Sequence, residues 1–154
     1  LLATNKRFAE NDNTLYRNSK GHSGVACEGC HGSPHATWPI EDPDANDNLT
    51  AIQLQGHDGT LIECDTCHAA GSLELTTKGP HGLHNINDPR WVNEHEDFYK
   101  DDANNCKACH GKQLEGTPLA KMAVTRSFDV EGKTVTLEKD KQVSCDLCHD
   151  KPDL

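Results

Sequence analysis

Large apolar side chains are scarce in this chain. Leu, Ile, Val and Phe number 14, 4, 6 and 3 among 154 residues, and aromatic residues make up 5%. With a formal net charge of −10, that composition falls in the range of chains unable to bury enough surface to fold on side chains alone. Basic residues are also few: 15 Lys and Arg stand against 25 Asp and Glu. This excludes the basic face that a nucleic-acid partner requires. No run of about 18 apolar residues occurs, so no transmembrane helix is expected. Leu1-Leu2-Ala3 leads directly into a polar segment, without the pattern of a signal peptide. The length is that of a single domain, residues 1–154. No cysteine is left over for a disulfide or a nucleophile, because all eight sit in one recurring pattern.

The pattern is C-x-x-C-H, and it occurs four times. Cys27-Glu28-Gly29-Cys30-His31 is followed by Cys64-Asp65-Thr66-Cys67-His68, Cys106-Lys107-Ala108-Cys109-His110 and Cys145-Asp146-Leu147-Cys148-His149. This is the attachment signature of c-type haem. The thiols of Cys27, Cys30, Cys64, Cys67, Cys106, Cys109, Cys145 and Cys148 would form thioethers to haem vinyl groups. His31, His68, His110 and His149 would be the proximal iron ligands. Zinc ribbons also use C-x-x-C pairs but have no need of a His after every second Cys. A thioredoxin-like dithiol would be single. Four haems c are therefore expected. Their apolar discs resolve the compositional paradox, since they can supply the core that the side chains lack.

The expected fold class is mostly irregular, with short α-helices and one or two small β-hairpins around a haem core. Gly-Ser-Pro at 32–34, Asp-Pro at 42–43 and 88–89, and Gly-Pro at 79–80 mark loops. Successive motifs begin 37, 42 and 39 residues apart, a repeat of about 40 residues with one haem each. After a polar arm at 1–21, haem modules are expected near 22–56, 57–94, 95–132 and 133–154. Ser127–Leu137 alternates around Gly132 and predicts a hairpin. Ala51–Leu54 and Thr60–Ile62, around Gly56 and Gly59, suggest a second, weaker one. Arg90–Tyr99 predicts a short helix carrying His95.

Each iron needs a second axial ligand, and six histidines remain: His22, His35, His57, His81, His84 and His95. Six spare histidines for four irons predict bis-His ligation. His22, His57, His81, His84 and His95 are the distal candidates within the chain. His22, His57 and His95 precede Cys27, Cys64 and Cys106 by 5, 7 and 11 residues. The only His after His110 is the proximal His149, so the fourth haem must take its distal ligand from the first 95 residues, from Met122 or from another chain. His35 lies four residues beyond His31, a reach of at most roughly 14 Å. It cannot travel round the haem to cap the iron that His31 holds, so it is expected to serve a different haem. Met122 reads as a packing residue. Trp38 and Trp91 read as packing against porphyrin, and Pro34, Pro39 and Pro80 as fixing loop shape.

These features predict an electron carrier rather than an enzyme. A nitrite- or hydroxylamine-type reductase would need an open haem position, against which six spare histidines argue. A soluble periplasmic tetrahaem shuttle and a fragment of a larger multihaem cytochrome are the other readings. Covalent haem is attached outside the cytoplasm, so a removed leader or a longer parent chain is expected.

Gly21-His22-Ser23-Gly24-Val25-Ala26-Cys27-Glu28-Gly29-Cys30-His31, followed by His35, resembles the amino-terminal haem motif of the extracellular multihaem cytochromes of metal-reducing microbes. The motif count is similar to that of the tetrahaem members that polymerise into nanowires. The resemblance implies bis-His haems stacked in alternating parallel and T-shaped pairs, and an extracellular or cell-surface location. It also implies other copies of the chain as head-to-tail partners, alongside redox partner cytochromes or extracellular electron acceptors. By position, His35 would ligate a haem of the neighbouring subunit.

Overall fold

The computed structural model describes residues 1–32, 42 and 44–151. His35 lies outside the described residues, as do Pro34, Trp38 and Pro39. The chain divides into two units, Leu1–Asn87 and Asp88–Leu154. The first contains the motifs at 27–31 and 64–68, the second those at 106–110 and 145–149. The described residues form four α-helices, one two-stranded antiparallel sheet and short 3-10 turns joined by irregular chain. The expected fold class is borne out.

In the first unit the amino-terminal arm is folded back on itself. Leu2 and Leu15 form an antiparallel bridge, and Ala3 and Thr14 are joined through the Ala3 N–H at 2.7 Å. The small side chains of Ala3 and Ala9 are buried. Helix α1, Glu28–His31, follows Cys27 and takes in the rest of the first C-x-x-C-H motif. Helix α2, Asn46–Gln55, buries Asn48 and Ala51 and carries Asp47 in its first turn, where the helix dipole favours an acid. It stops at Gly56, whose left-handed backbone (φ 85°) lets its N–H return to the Ile52 carbonyl.

That glycine explains one difference from the sequence reading. Ala51–Leu54 is helical, so the weaker of the two expected hairpins does not form. A short, mostly apolar run such as Ala51-Ile52-Gln53-Leu54 fits a helix as well as a strand. Gly56 ends a helix here, where a hairpin reading makes it a turn between strands.

In the second unit, helix α3, Trp91–Asp101, carries Trp91, His95 and Phe98 on one stripe. Trp91 lies 6.3 Å from His95 and 5.0 Å from Phe98 between ring centres. Helix α4, Ala103–His110, begins at Asp102, whose side chain accepts the Asn105 N–H, and ends in the third motif. Strands β1, Arg126–Val130, and β2, Lys133–Leu137, pair with Phe128 opposite Val135 and Val130 opposite Lys133. Glu131 (φ 51°) and Gly132 (φ 80°) make the two-residue turn. Two positive φ values in succession match the right-handed twist of a hairpin.

Among the described residues the buried apolar side chains are Ala3, Ala9, Ala51, Leu114 and Leu137. Only two of these exceed alanine in size. Meanwhile Phe8, Val25, Ile52 and Leu54 stand 41–52% exposed. Among the described residues the polypeptide supplies almost no core of its own.

Candidate functional site

All four attachment motifs sit on a helical turn. The second and fourth begin as 3-10 turns at Cys64–Thr66 and Cys145–Leu147; the first and third end α1 and α4. In the second and fourth motifs the His N–H returns to the carbonyl of the first Cys, at 3.0 and 3.3 Å for His68 and His149. The same bond closes the first motif, His31 to Cys27. One turn of helix places both sulfurs on one edge and the imidazole beside them. Burial holds the thiols of Cys30, Cys106, Cys145 and Cys148 above their ordinary pKa, as uncharged groups; the nearby Cys67 adds to the effect at Cys30.

Within each unit hydrogen bonds tie one motif to the residues next to the other. The Leu61 N–H donates to the Cys30 carbonyl at 3.0 Å, three residues before Cys64. In the second unit His110 Nδ1 donates to the Val143 carbonyl at 2.9 Å, two residues before Cys145. There the Cys145 N–H reaches the carbonyl of Leu114, which is 1% exposed.

Three motif histidines face a histidine from outside any motif. His31 and His81 have ring centres 5.9 Å apart, His68 and His22 are 6.2 Å apart, and His149 and His95 are 5.7 Å apart. A first-row metal binds an imidazole nitrogen at about 2 Å, and the ring centre lies roughly 1 Å beyond. Two rings on opposite faces of one iron would therefore have centres about 6 Å apart. The spacing of all three pairs suits an iron between them. Among the described residues no group of three or more His, Cys, Asp and Glu side chains converges on a metal-sized space. The donors come in twos, as axial ligation needs.

Hydrogen bonds leave the correct nitrogen available. His81 Nδ1 donates to the Arg7 carbonyl at 2.7 Å, His95 Nδ1 to the Trp91 and Val92 carbonyls at 3.0 Å, and His149 Nδ1 to the Asp150 carbonyl at 2.6 Å. A carbonyl only accepts, so each Nδ1 carries the proton and Nε2 keeps its lone pair. Burial, and next the nearby His81, lower the pKa of His31, which favours the neutral, ligating form.

His22 and His81 are presented by the same device, which the sequence reading missed. In Gly21–Val25 and Gly79–Leu83 the first N–H donates to the last carbonyl, at 2.9 and 3.0 Å. Inside each loop a non-glycine residue is left-handed, Ser23 (φ 51°) in one and His81 (φ 60°) in the other. A second glycine follows it. The signal was Gly, two residues including His, then Gly, in 21–24 and 79–82 alike.

The arm holds both loops. Glu10 accepts the backbone N–H groups of Ser23 and Gly24 at 2.6 and 3.0 Å. Arg7 Nη1 donates to the His81 carbonyl at 2.5 Å. The Phe8 ring centre lies 5.5 Å from that of His81.

The remaining candidates are placed differently. His57 has its Nε2 3.0 Å from Glu63 and its Nδ1 2.8 Å from the Asp58 carbonyl. His84 is half-buried, three residues beyond His81. Met122 is half-buried in a backbone ladder, its N–H donating to the Lys141 carbonyl at 2.9 Å.

Comparison with known proteins matches residues 35–153 to the family described as outer membrane cytochrome MtrC/MtrF-like, domains II/IV. No curated protein and no solved structure matches. The matched span holds the motifs beginning at Cys64, Cys106 and Cys145, while the motif at Cys27 precedes it. Cytochromes of this family bind c-type haem and carry electrons together with redox partner cytochromes, at the outer membrane or cell surface. No helix among the described residues is long and apolar enough to cross a membrane. Since the match spans more than three quarters of its length and three of its four haem motifs, the chain belongs to the outer membrane cytochrome MtrC/MtrF-like family and is a multihaem electron carrier.

Proposed function

We propose that the chain carries electrons over four closely spaced, bis-His-ligated c-type haems, in electron transfer to acceptors outside the cell. The observation that carries this reading is the spacing of His31–His81, His68–His22 and His149–His95, 5.7–6.2 Å between ring centres. Haem supplies reversible one-electron uptake and release. The eight motif cysteines hold it covalently. His31, His68, His110 and His149 take the proximal positions. The Nδ1–H bonds of His81, His95, His110 and His149 to carbonyls fix each imidazole in orientation and raise its basicity as a ligand. A pair of histidines on each iron leaves no open position for substrate.

The assembly reading follows from the number of histidines. His57 has both ring nitrogens engaged by protein groups. Three irons have candidate pairs in His31–His81, His68–His22 and His149–His95; the fourth takes its second ligand from His84 or from another copy. His35, four residues from His31, is out of reach of that iron's other face. We assign it to a haem of a neighbouring copy. Such a contact is heterologous and propagates as an open filament unless the rotation closes a ring. A second reading is favoured by the family description, which numbers its domains: the chain's fold then serves as one domain of a larger surface cytochrome.

Electron microscopy and optical spectra of native and His35→Ala protein separate the two. The filament reading expects four attached haems in the variant, one of them altered, and monomers in place of filaments. A native protein that stays monomeric at high concentration, or a variant that assembles unchanged, leaves the larger-cytochrome reading. High-spin iron in the native protein would count against bis-His ligation itself.

A further inference from the structure

His57 precedes a haem motif by a few residues, as His22 and His95 do, yet its surroundings differ. Its side chain is 9% exposed and that of Glu63 is 7% exposed. Nδ1 must carry a proton, because its partner is the Asp58 carbonyl at 2.8 Å. Nε2 meets the Glu63 carboxylate at 3.0 Å, with one proton between them. No lone pair is left for a metal.

The loop these residues close is tied from within. Gln55, the last residue of α2, donates from Nε2 toward the carbonyls of His57, Gly59 and Thr60 at 3.0–3.3 Å. Its Oε1 accepts the Ile62 N–H at 3.0 Å. The loop between Gln55 and Glu63 is therefore filled by one amide and latched by one His–Glu contact. Its two outputs are haem-attachment motifs. Leu61 donates to the carbonyl of Cys30, in the first motif. Glu63 is bonded directly to Cys64, which opens the second.

We infer that His57 is a positioning residue: its contact with Glu63 latches the 55–63 loop as a spacer that sets the distance and orientation between the haems at Cys27–His31 and Cys64–His68. This rests on haem attachment at both motifs. Electron exchange between neighbouring haems depends on their separation, so the latch acts on conduction without touching iron.

The test uses the fully haem-loaded protein. His57→Ala should retain four low-spin haems, by electron paramagnetic resonance and optical spectra. It should lose amplitude in the Soret circular-dichroism couplet, which reports the mutual orientation of neighbouring haems, at temperatures well below unfolding. His57→Gln, which can still donate to Glu63, should restore the couplet. High-spin iron in His57→Ala would make His57 a ligand and overturn the inference. An unchanged couplet would overturn it too. Should His57→Ala not accumulate, Glu63→Ala breaks the same latch and is judged on the same couplet. His22→Ala and His81→Ala serve as the control for ligation: each should convert one haem to high-spin. If they do not, the axial pairing fails, whereas the latch still stands or falls on the couplet.

Discussion

Substituting Gly79 by Ala tests how firmly the chain holds His81 before any metal bond forms. A Cβ at residue 79 would sit 2.5 Å from the Leu83 carbonyl oxygen. That oxygen is backbone, and it accepts the Gly79 N–H at 3.0 Å, so it cannot move aside without opening the loop. The lost hydrogen bond costs about 1 kcal/mol, and backbone strain of this kind about 1–3 kcal/mol. Together they lower the closed-loop population roughly 30- to 1000-fold. Gly79→Ala should therefore attach its full complement of haem but show one high-spin iron, the one held by His31. Gly21 opens the equivalent loop, yet a Cβ there would lie 3.6 Å from the Val25 oxygen, an ordinary contact. Gly21→Ala should leave every iron low-spin. Spectra and intact mass of the two variants decide the matter. A fully low-spin Gly79→Ala, or equal damage from both, would refute the reasoning.

Intact-mass measurement should find four haem additions that survive denaturation, and the haem-free chain should show no cooperative melting, since few large side chains are buried. Glu10→Ala removes a carboxylate from two backbone N–H groups beside His22; a loss of about 1.5–3 kcal/mol is expected, read as a lower thermal midpoint of the low-spin signal at the His68 iron. Met122→Leu should leave the optical spectrum unchanged, because Met122 is assigned to packing; loss of a methionine–iron charge-transfer band would contradict that. Leu114→Ala should cost about 2–5 kcal/mol in the loaded protein, whereas Leu119→Ala, at a residue 75% exposed, should stay within about 0.5 kcal/mol.

The four C-x-x-C-H motifs were legible because thioether chemistry needs a fixed local spacing. The hairpin at Arg126–Leu137 was legible because alternation around Gly132 is also local. His57 is a harder case: its distance from Cys64 resembles that of a distal ligand, and the buried contact with Glu63, on which the proposed positioning role rests, has no local pattern to mark it. The arm was readable as polar but not as functional. Arg7 and Glu10 act on loops 13 to 74 residues away, and no local pattern marks such partners. Ala51–Leu54 misled because so short an apolar run suits either period.

The three histidine pairs differ in the tilt between their rings. His95 and His149 are within 25° of parallel, whereas His31–His81 and His22–His68 are inclined by 52° and 59°. The angle between two axial imidazoles governs how the ferric d-orbitals split. Near-parallel planes give a rhombic magnetic spectrum, and steeply crossed planes give one dominated by a single large g value. The iron at His149 should thus carry a fingerprint distinct from those at His31 and His68. Samples frozen as the protein is reduced in steps would then report when an electron occupies the His149 site.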